Sequence, residues 1–307
     1  GLAFDIRSAY YQFLSASTLV NIRKNALKLA TENYEVIKKL YEADRSPKAD
    51  VLRADVLRLT SRQELQQAIN NAKLARNNFN RILNRDFESV INFDSISTVE
   101  LIKNMQDVNF RTDAEESYKL ALELRPELRQ LGSTARALSH SENAIAADYY
   151  PNLAVVGDLG WQGEKYDFSG DARYWSVSLA ASWNLFSGFE TKYKQEELTA
   201  QYQAVAYATE NTKSLIKLEI NNSISAIRDN LEILEVSAKS YEASLENYRL
   251  VNERYREGLD PLIKLIDAQT ALSNAEASFT ISYYTILTAK SNLDKAIGRI
   301  DSEKIKI

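Results

Sequence analysis

Apolar residues recur with a helical period along most of this chain and with a period of two in one short region. No glycine or proline falls between Phe189 and Glu257. Those roughly 70 residues, as one helix, extend about 100 Å at 1.5 Å per residue. A turn at Gly258 to Pro261 leads into a second helix over Leu262 to Ile297. Earlier in the chain a turn at Asp44 to Pro47 leads into a return helix over Lys48 to Asn84. A mixed segment follows over 85–112, whose FESVINF reads as a short strand or a loop. The next helix begins near Thr112 and continues to about Asp148, mildly interrupted by Pro126 and Gly132.

The two long helical hairpins share a register. ENYEVIKKLYEADRSP (32–47) aligns without a gap on ENYRLVNERYREGLDP (246–261), 214 positions later. At that offset Ile6, Phe13, Val20, Leu27, Tyr34 and Tyr41 form a seam spaced by seven, matched by Ile220, Ile227, Leu234, Tyr241, Tyr248 and Tyr255. A sustained heptad seam predicts left-handed coiled-coil packing. The offset places the first-copy equivalent of residues 149–187 ahead of residue 1. With no initiator Met and an opening inside a helical pattern, the expectation is an N-terminally truncated chain.

The period-two region is a predicted β-hairpin. Leu153, Val155, Gly157, Leu159 and Trp161 alternate with Ala154, Val156, Asp158, Gly160 and Gln162. Trp175, Val177, Leu179, Ala181, Trp183 and Leu185 alternate with Ser176, Ser178, Ala180, Ser182 and Asn184. GEKYDFSGDA (163–172) supplies the polar turn. Each strand has about 9 to 11 residues, enough to cross a bilayer at a tilt of about 45°. Trp175 and Trp183 bracket the second strand about 27 Å apart, or about 20 Å of depth after tilt. That is near the roughly 25 Å between the aromatic girdles of outer-membrane barrels. Spacing alone equally fits a hairpin laying its oily face on a soluble core. A lone hairpin is marginal and its edges need partners, and only a closed barrel lets strands span lipid.

Composition removes several function classes. The 38 basic and 42 acidic side chains balance to −4, which argues against a nucleic-acid surface. There is no cysteine, hence no disulfide, thiolate site or thiol nucleophile. The single histidine, His140, lies among Ser and Glu in a predicted helix and reads as solvated, since a general base needs a positioned partner. No phosphate-cradling loop, metal-ligand cluster or activated nucleophile is present. The expectation is no enzyme, no cofactor and no metal. No apolar run reaches the length of a membrane-spanning helix, and the N-terminus shows no signal peptide.

Four stretches carry a resemblance: RPELRQL (125–131), YYPNL (149–153), WNLFSG (183–188) and RYREGLDPLIKLIDAQTAL (254–272). In this order and spacing, with the gapless repeat, they resemble the TolC-like outer-membrane efflux protein family. The resemblance implies a mainly α fold with a small β part and a two-fold internal repeat. Long antiparallel coiled-coil helices would form an α-barrel protomer, and the transmembrane hairpin would belong to a trimeric twelve-stranded barrel. The divisions expected are a first coiled-coil hairpin (1–84, tip near 44–47), an equatorial connection (85–112) and a second-repeat helix (113–148). A transmembrane hairpin (149–187), a second coiled-coil hairpin (188–298, tip near 258–261) and a tail (299–307) complete them.

The implied function is a passive exit duct of a tripartite efflux or type I secretion system. It would sit in the cell outer membrane with a long periplasmic helical part. The implied partners are two further copies in a homotrimer of the native full-length protein, outer-membrane lipid, a periplasmic adaptor and an inner-membrane pump. A non-channel periplasmic coiled-coil scaffold or spacer is the alternative. The family pattern at the tips is a Tyr, a Gly-Leu turn and an Asp-x-x-Asp step. Here Tyr255, Gly258, Leu259 and Asp267 match, while Lys264 stands at the first acidic position; in the first copy Tyr41 and Asp50 match, and Arg53 stands at the second. By this resemblance Asp50 and Asp267 line the channel entrance and Tyr255 helps close it. The other reading makes these ordinary solvated tip charges. Asp44, Arg45, Ser46, Gly258, Leu259 and Asp260 would be adaptor-docking tips, and Trp161, Trp175 and Trp183 membrane-interface aromatics.

Overall fold

The computed structural model describes residues 2–91, 98–105, 113–162 and 173–299. It divides into two compact units, Gly1–Leu124 with Ile216–Ile307, and Arg125–Leu215.

In the first unit, α1 (Leu2–Glu42) and α2 (Lys48–Ile82) form one helical hairpin. The lower part of α6 (Glu190–Arg256) with α7 (Leu262–Ile297) forms the other, and two shorter helices, α3 (Thr98–Met105) and α4 (Ala114–Leu124), complete the unit. Both return helices start directly after a proline, Pro47 and Pro261, held extended at φ −74°. Proline fixes φ and lacks the N–H that the first turn leaves unused, so it starts a helix without cost.

The helix ends are closed by one device. Asp44, Asn84, Gly258 and Gly298 are all left-handed, at φ 54°, 53°, 76° and 81°. At each, the next residue's N–H reaches back five residues and the left-handed residue's own N–H reaches back three. Arg45 donates to Leu40 O (2.7 Å) and Asp44 to Tyr41 O (2.9 Å); Leu259 donates to Arg254 O (2.9 Å) and Gly258 to Tyr255 O (3.0 Å). This double bond pattern satisfies the last helical carbonyls. Asp44 and Gly258, like Asn84 and Gly298, stand 214 positions apart.

The core follows the seams only in part. Ile220, Ile227, Leu234 and Tyr241 are buried along α6, and Tyr241 stacks on Phe279 of α7 with ring centres 6.2 Å apart. On α1 only Phe13 of the seam is fully buried, whereas Ala9, Leu14, Ile22, Ala30 and Ile37 are buried beside it. A helix that packs along both α2 and α7 buries a stripe wider than a single seam. Arg23 stitches the three: its Nη1 donates to Ser273 Oγ on α7 (2.7 Å) and pairs with Glu64 on α2 (3.2 Å).

Residues 85–91 form turns rather than a strand, and the rest of FESVINF lies outside the described residues, as does 106–112. The buried Asn80 amide holds this segment, donating to Phe87 O (3.1 Å) and Ser89 O (2.9 Å). Thr98 of α3 donates to Glu276 of α7 (2.7 Å). The helix expected from Thr112 begins at Ala114 among the described residues, capped by the Asp113 carboxylate, which accepts from the N–H groups of Glu115 and Glu116. It stops at Leu124 instead of bending: Pro126 removes an N–H and forces Arg125 out of helical geometry, at ψ 121°.

The second unit holds α5 (Pro126–Ala146), a 3₁₀ turn (Ala147–Tyr149), β1 (Asn152–Trp161), β2 (Arg173–Ser182) and the start of α6. The two strands pair antiparallel from Asn152↔Ser182 to Trp161↔Arg173. The expected connecting turn, 163–172, and the tail from 300 onward lie outside the described residues. Strand β2 stops one residue before Trp183, so that tryptophan does not bracket the strand from within, and the strand does not reach Ser187. In this register Trp183 would face Pro151, which has no N–H to continue the ladder.

Candidate functional site

The hairpin register sorts its side chains by face, because residues directly opposite share a side. Leu153/Ala181, Val155/Leu179, Gly157/Val177 and Leu159/Trp175 make one apolar face, which ends at the Trp161/Arg173 pair. Asn152/Ser182, Ala154/Ala180, Val156/Ser178, Asp158/Ser176 and Gly160/Tyr174 make the other. Near its far end a Cβ on Gly160 would sit 2.9 Å from the Tyr174 ring, so the glycine allows that ring to lie across the strand. Among the described residues nothing covers the apolar face, and Leu179 is 76% exposed. Beyond β2, Trp183 Nε1 donates to Tyr149 O (3.2 Å), and Gly188 and Phe189, both left-handed, turn the chain into α6.

The helical tips differ from each other in electrostatics. At the first, Asp44 and Arg45 are exposed and Ser46 is half-buried. Asp50 pairs with Arg53 at 3.4 Å. At the second, Gly258 and Leu259 are exposed, but the Asp260 side chain is only 5% exposed. Its carboxylate accepts from Arg254 Nε (2.8 Å) and Lys264 Nζ (2.9 Å). The Arg254 hydrogen bond, then that of Lys264, holds this carboxyl below the ordinary value. Asp260 therefore faces the turn it closes, while the other tip residues reach solvent.

Lys264, which interrupts the acidic pattern of the sequence, serves in the fold as a cation for Asp260. The i,i+4 spacing was a visible signal. Arg254 lies on the far side of the turn and gave none.

Tyr255 lies between the two hairpins. It packs with Tyr34, Val51, Tyr248 and Val251 around the buried cluster of Ile37, Ala54, Leu262 and Leu265. Burial raises its phenol pKa, and the charge of Asp50 raises it further. Tyr255 thus packs against Val51, the residue next to Asp50, while Asp267 stands exposed on α7.

Among the described residues no group of three or more His, Asp or Glu side chains could hold a metal ion, and no helix is long and apolar enough to cross a membrane. The latter says nothing of the strands.

A family model described as outer membrane efflux protein matches residues 117–299. Similar proteins include the probable efflux pump outer membrane protein TtgC of Pseudomonas putida, 21% identical over 307 residues, covering 97% of this chain and 60% of that protein. Outer membrane protein OprJ of Pseudomonas aeruginosa is 24% identical over 201 residues, covering 64% of this chain and 40% of that one. The chain thus spans about 60% of the length of curated relatives such as TtgC. Among solved structures, the open-state MtrE outer membrane channel of Neisseria gonorrhoeae superposes with a TM-score of 0.78 at 19% identity, covering 97% of this chain and 66% of that one. VceC of Vibrio cholerae superposes at 0.77 and 16% identity, covering 97% and 69%. The mainly helical fold with its small two-stranded sheet is the fold of these proteins. With more than half its length matched by the family model, this chain belongs to the outer membrane efflux protein family.

Proposed function

We propose that this chain is part of a passive exit duct in the outer membrane of a tripartite efflux or type I secretion system. In this reading, an inner-membrane pump supplies the energy and the cargo, a periplasmic adaptor joins the pump to the duct, and the duct is a homotrimer with no catalytic role. The observation that carries it is the hairpin's apolar face from Leu153 to Trp175, which none of the described residues covers. Strands span lipid only in a closed barrel, so copies of the full-length protein, with further strands beyond this hairpin, close it together. Such relatives as TtgC, named for an efflux pump, support the transport class.

The entrance lies at the helical tips, where Asp50 and Asp267 form threefold carboxylate rings favourable to cations. Tyr255, packed between the two hairpins and within range of the Asp50 charge, supports the closed state. Asp44, Arg45, Gly258 and Leu259 offer exposed surface to the adaptor, with the half-buried Ser46 beside them, while Asp260 shapes the turn beneath them. The test is conductance of the full-length protein in planar bilayers, with Asp267→Ala beside the parent. Pores that lose cation selectivity and divalent block in the variant support the entrance role. Soluble periplasmic fractionation with no pores overturns the channel itself.

A further inference from the structure

In the first unit α1, α2 and α7 border a cleft of about 440 Å³. Much of its lining is apolar: Leu52, Val56 and Leu57 on α2, Ile263 and Ile266 on α7, and Ala26 on α1. Leu52 and Val56 are 57% and 64% exposed, so this apolar surface opens to solvent. Farther from the tips stand Arg23, Glu64, Ser273 and Asn274. From Leu52 to Glu64 the α2 wall runs about 18 Å at 1.5 Å per residue.

Hydrogen-bond donors along the cleft are left open. Gln269 is 4% exposed, and Asn33 Nδ2 donates to its Oε1 (2.9 Å), which leaves the Gln269 amide N–H groups for the cleft. Ser61, 6% exposed, has no hydrogen bond among the described residues, whereas Thr270 returns its hydroxyl to Ile266 O (2.9 Å). A buried donor without an acceptor is costly, so both are places for an acceptor on a ligand. The charged lining residues are Arg23, Arg53 and Glu64, a surplus of one positive charge. Glu64 pairs with Arg23 at 3.2 Å, and Asp50, which pairs with Arg53 at 3.4 Å, stays outside the lining.

We propose that this cleft binds a small amphiphilic organic anion, its carboxylate or sulfonate drawn to the donor-bearing side chains and its apolar body held between α2 and α7. The volume lies within the range of about 300 to 1,000 Å³ of small-molecule pockets, which are mostly apolar, carry a few placed polar groups and often form between helices. It suits a molecule of about 20 non-hydrogen atoms. A partner helix along the same wall, about 10 Å across, would fill about 1,400 Å³, far more than the cleft holds. The donor surplus and the extra positive charge select an anion over a cation or a neutral molecule of the same shape. Bound there, the apolar body touches α2 and α7 together and ties the first helical hairpin to the second. The cleft lies wholly within the first unit, so the site does not depend on the β-hairpin spanning lipid.

The probe is 8-anilinonaphthalene-1-sulfonate, titrated into the full chain by fluorescence and by equilibrium dialysis. N-phenyl-1-naphthylamine, the same rings without the sulfonate, is the neutral control. The expected result is saturation at one sulfonate per chain, bound about tenfold more tightly than the amine. Val56→Trp, which fills the cleft from an exposed position, removes this binding, and Arg23→Gln weakens it about tenfold. Glu64→Gln relieves Arg23 of its competing carboxylate and strengthens the sulfonate several-fold without changing the amine, a selective gain that loosened packing does not give. Leu179→Gln, on the apolar face of the β-hairpin, leaves all of this unchanged. Equal affinity for the two probes, or sulfonate binding that survives Val56→Trp, overturns the proposal. Binding lost in Leu179→Gln puts the dye on the β-hairpin and overturns it as well. Dye released as chain concentration rises, with larger species in sedimentation, gives the cleft to a second copy and overturns the ligand.

Discussion

Gly258→Ala tests the argument that backbone conformation, rather than contact, sets the residue at the second tip. Gly258 has φ 76°, and a Cβ built there meets nothing within 4 Å. Steric clash with neighbours therefore contributes nothing, and the cost is that of holding an L-residue in the left-handed region, about 1 to 2 kcal/mol. Such a cost raises local opening of the turn by about 5- to 30-fold. The readout is amide hydrogen exchange at Gly258 and Leu259, whose N–H groups donate to Tyr255 O and Arg254 O. Far-ultraviolet circular dichroism checks that helix content is kept. Asparagine tolerates the left-handed region better than alanine, so Gly258→Asn should lose roughly half as much protection. The corresponding Asp44 at the first tip already holds φ 54° with a side chain. If Gly258→Ala exchanged no faster than the parent, or if Gly258→Asn were the more damaged, the conformational account of the tip would be refuted.

Asp260→Asn should weaken the second tip at neutral pH and remove part of the acid sensitivity of the chain. Because the folded carboxyl is held below its ordinary value of 3.8, its contribution is complete above that value and is lost as pH falls through the lower folded one. Unfolding midpoints of parent and variant should therefore converge in acid, and a constant gap across the range would contradict the assignment. Asn80→Ala, which strands the carbonyls of Phe87 and Ser89, should cost about 1 to 3 kcal/mol and speed hydrogen exchange through residues 85–91. Leu179→Lys places a charge on the apolar face and should cost about 2 to 4 kcal/mol in vesicle-folding titrations if that site lies at the bilayer midplane. Ser178→Lys, on the other face, should cost far less.

Helices and strands could be read from the sequence where one physical rule acted alone. The period of two between Leu153 and Ala181 identified a two-faced strand pair because β side chains alternate without exception. The glycine-free run before Glu257 marked α6 because no competing breaker lies inside it. The break at Arg125 was underestimated, since a proline also constrains the residue before it. The end of β2 was overestimated, since the ladder depends on Pro151 in the partner strand and not on any residue of β2. At the tips, the sequence showed which residues lie near the turn but not which way they face. Asp260 looked like its exposed neighbours until the turn folded Arg254 back over it.

The local rules therefore settled on their own the helix starts after Pro47 and Pro261 and the alternating faces of the hairpin. The family resemblance was also carried by short stretches of sequence. Tertiary structure decided what depends on residues distant in the chain. It brought Tyr255 between the two helical hairpins, turned Asp260 inward between two cations, and widened the buried stripe of α1. Periodicity reports which face a side chain shares with its neighbours, whereas burial and pairing depend on what the fold sets against that face.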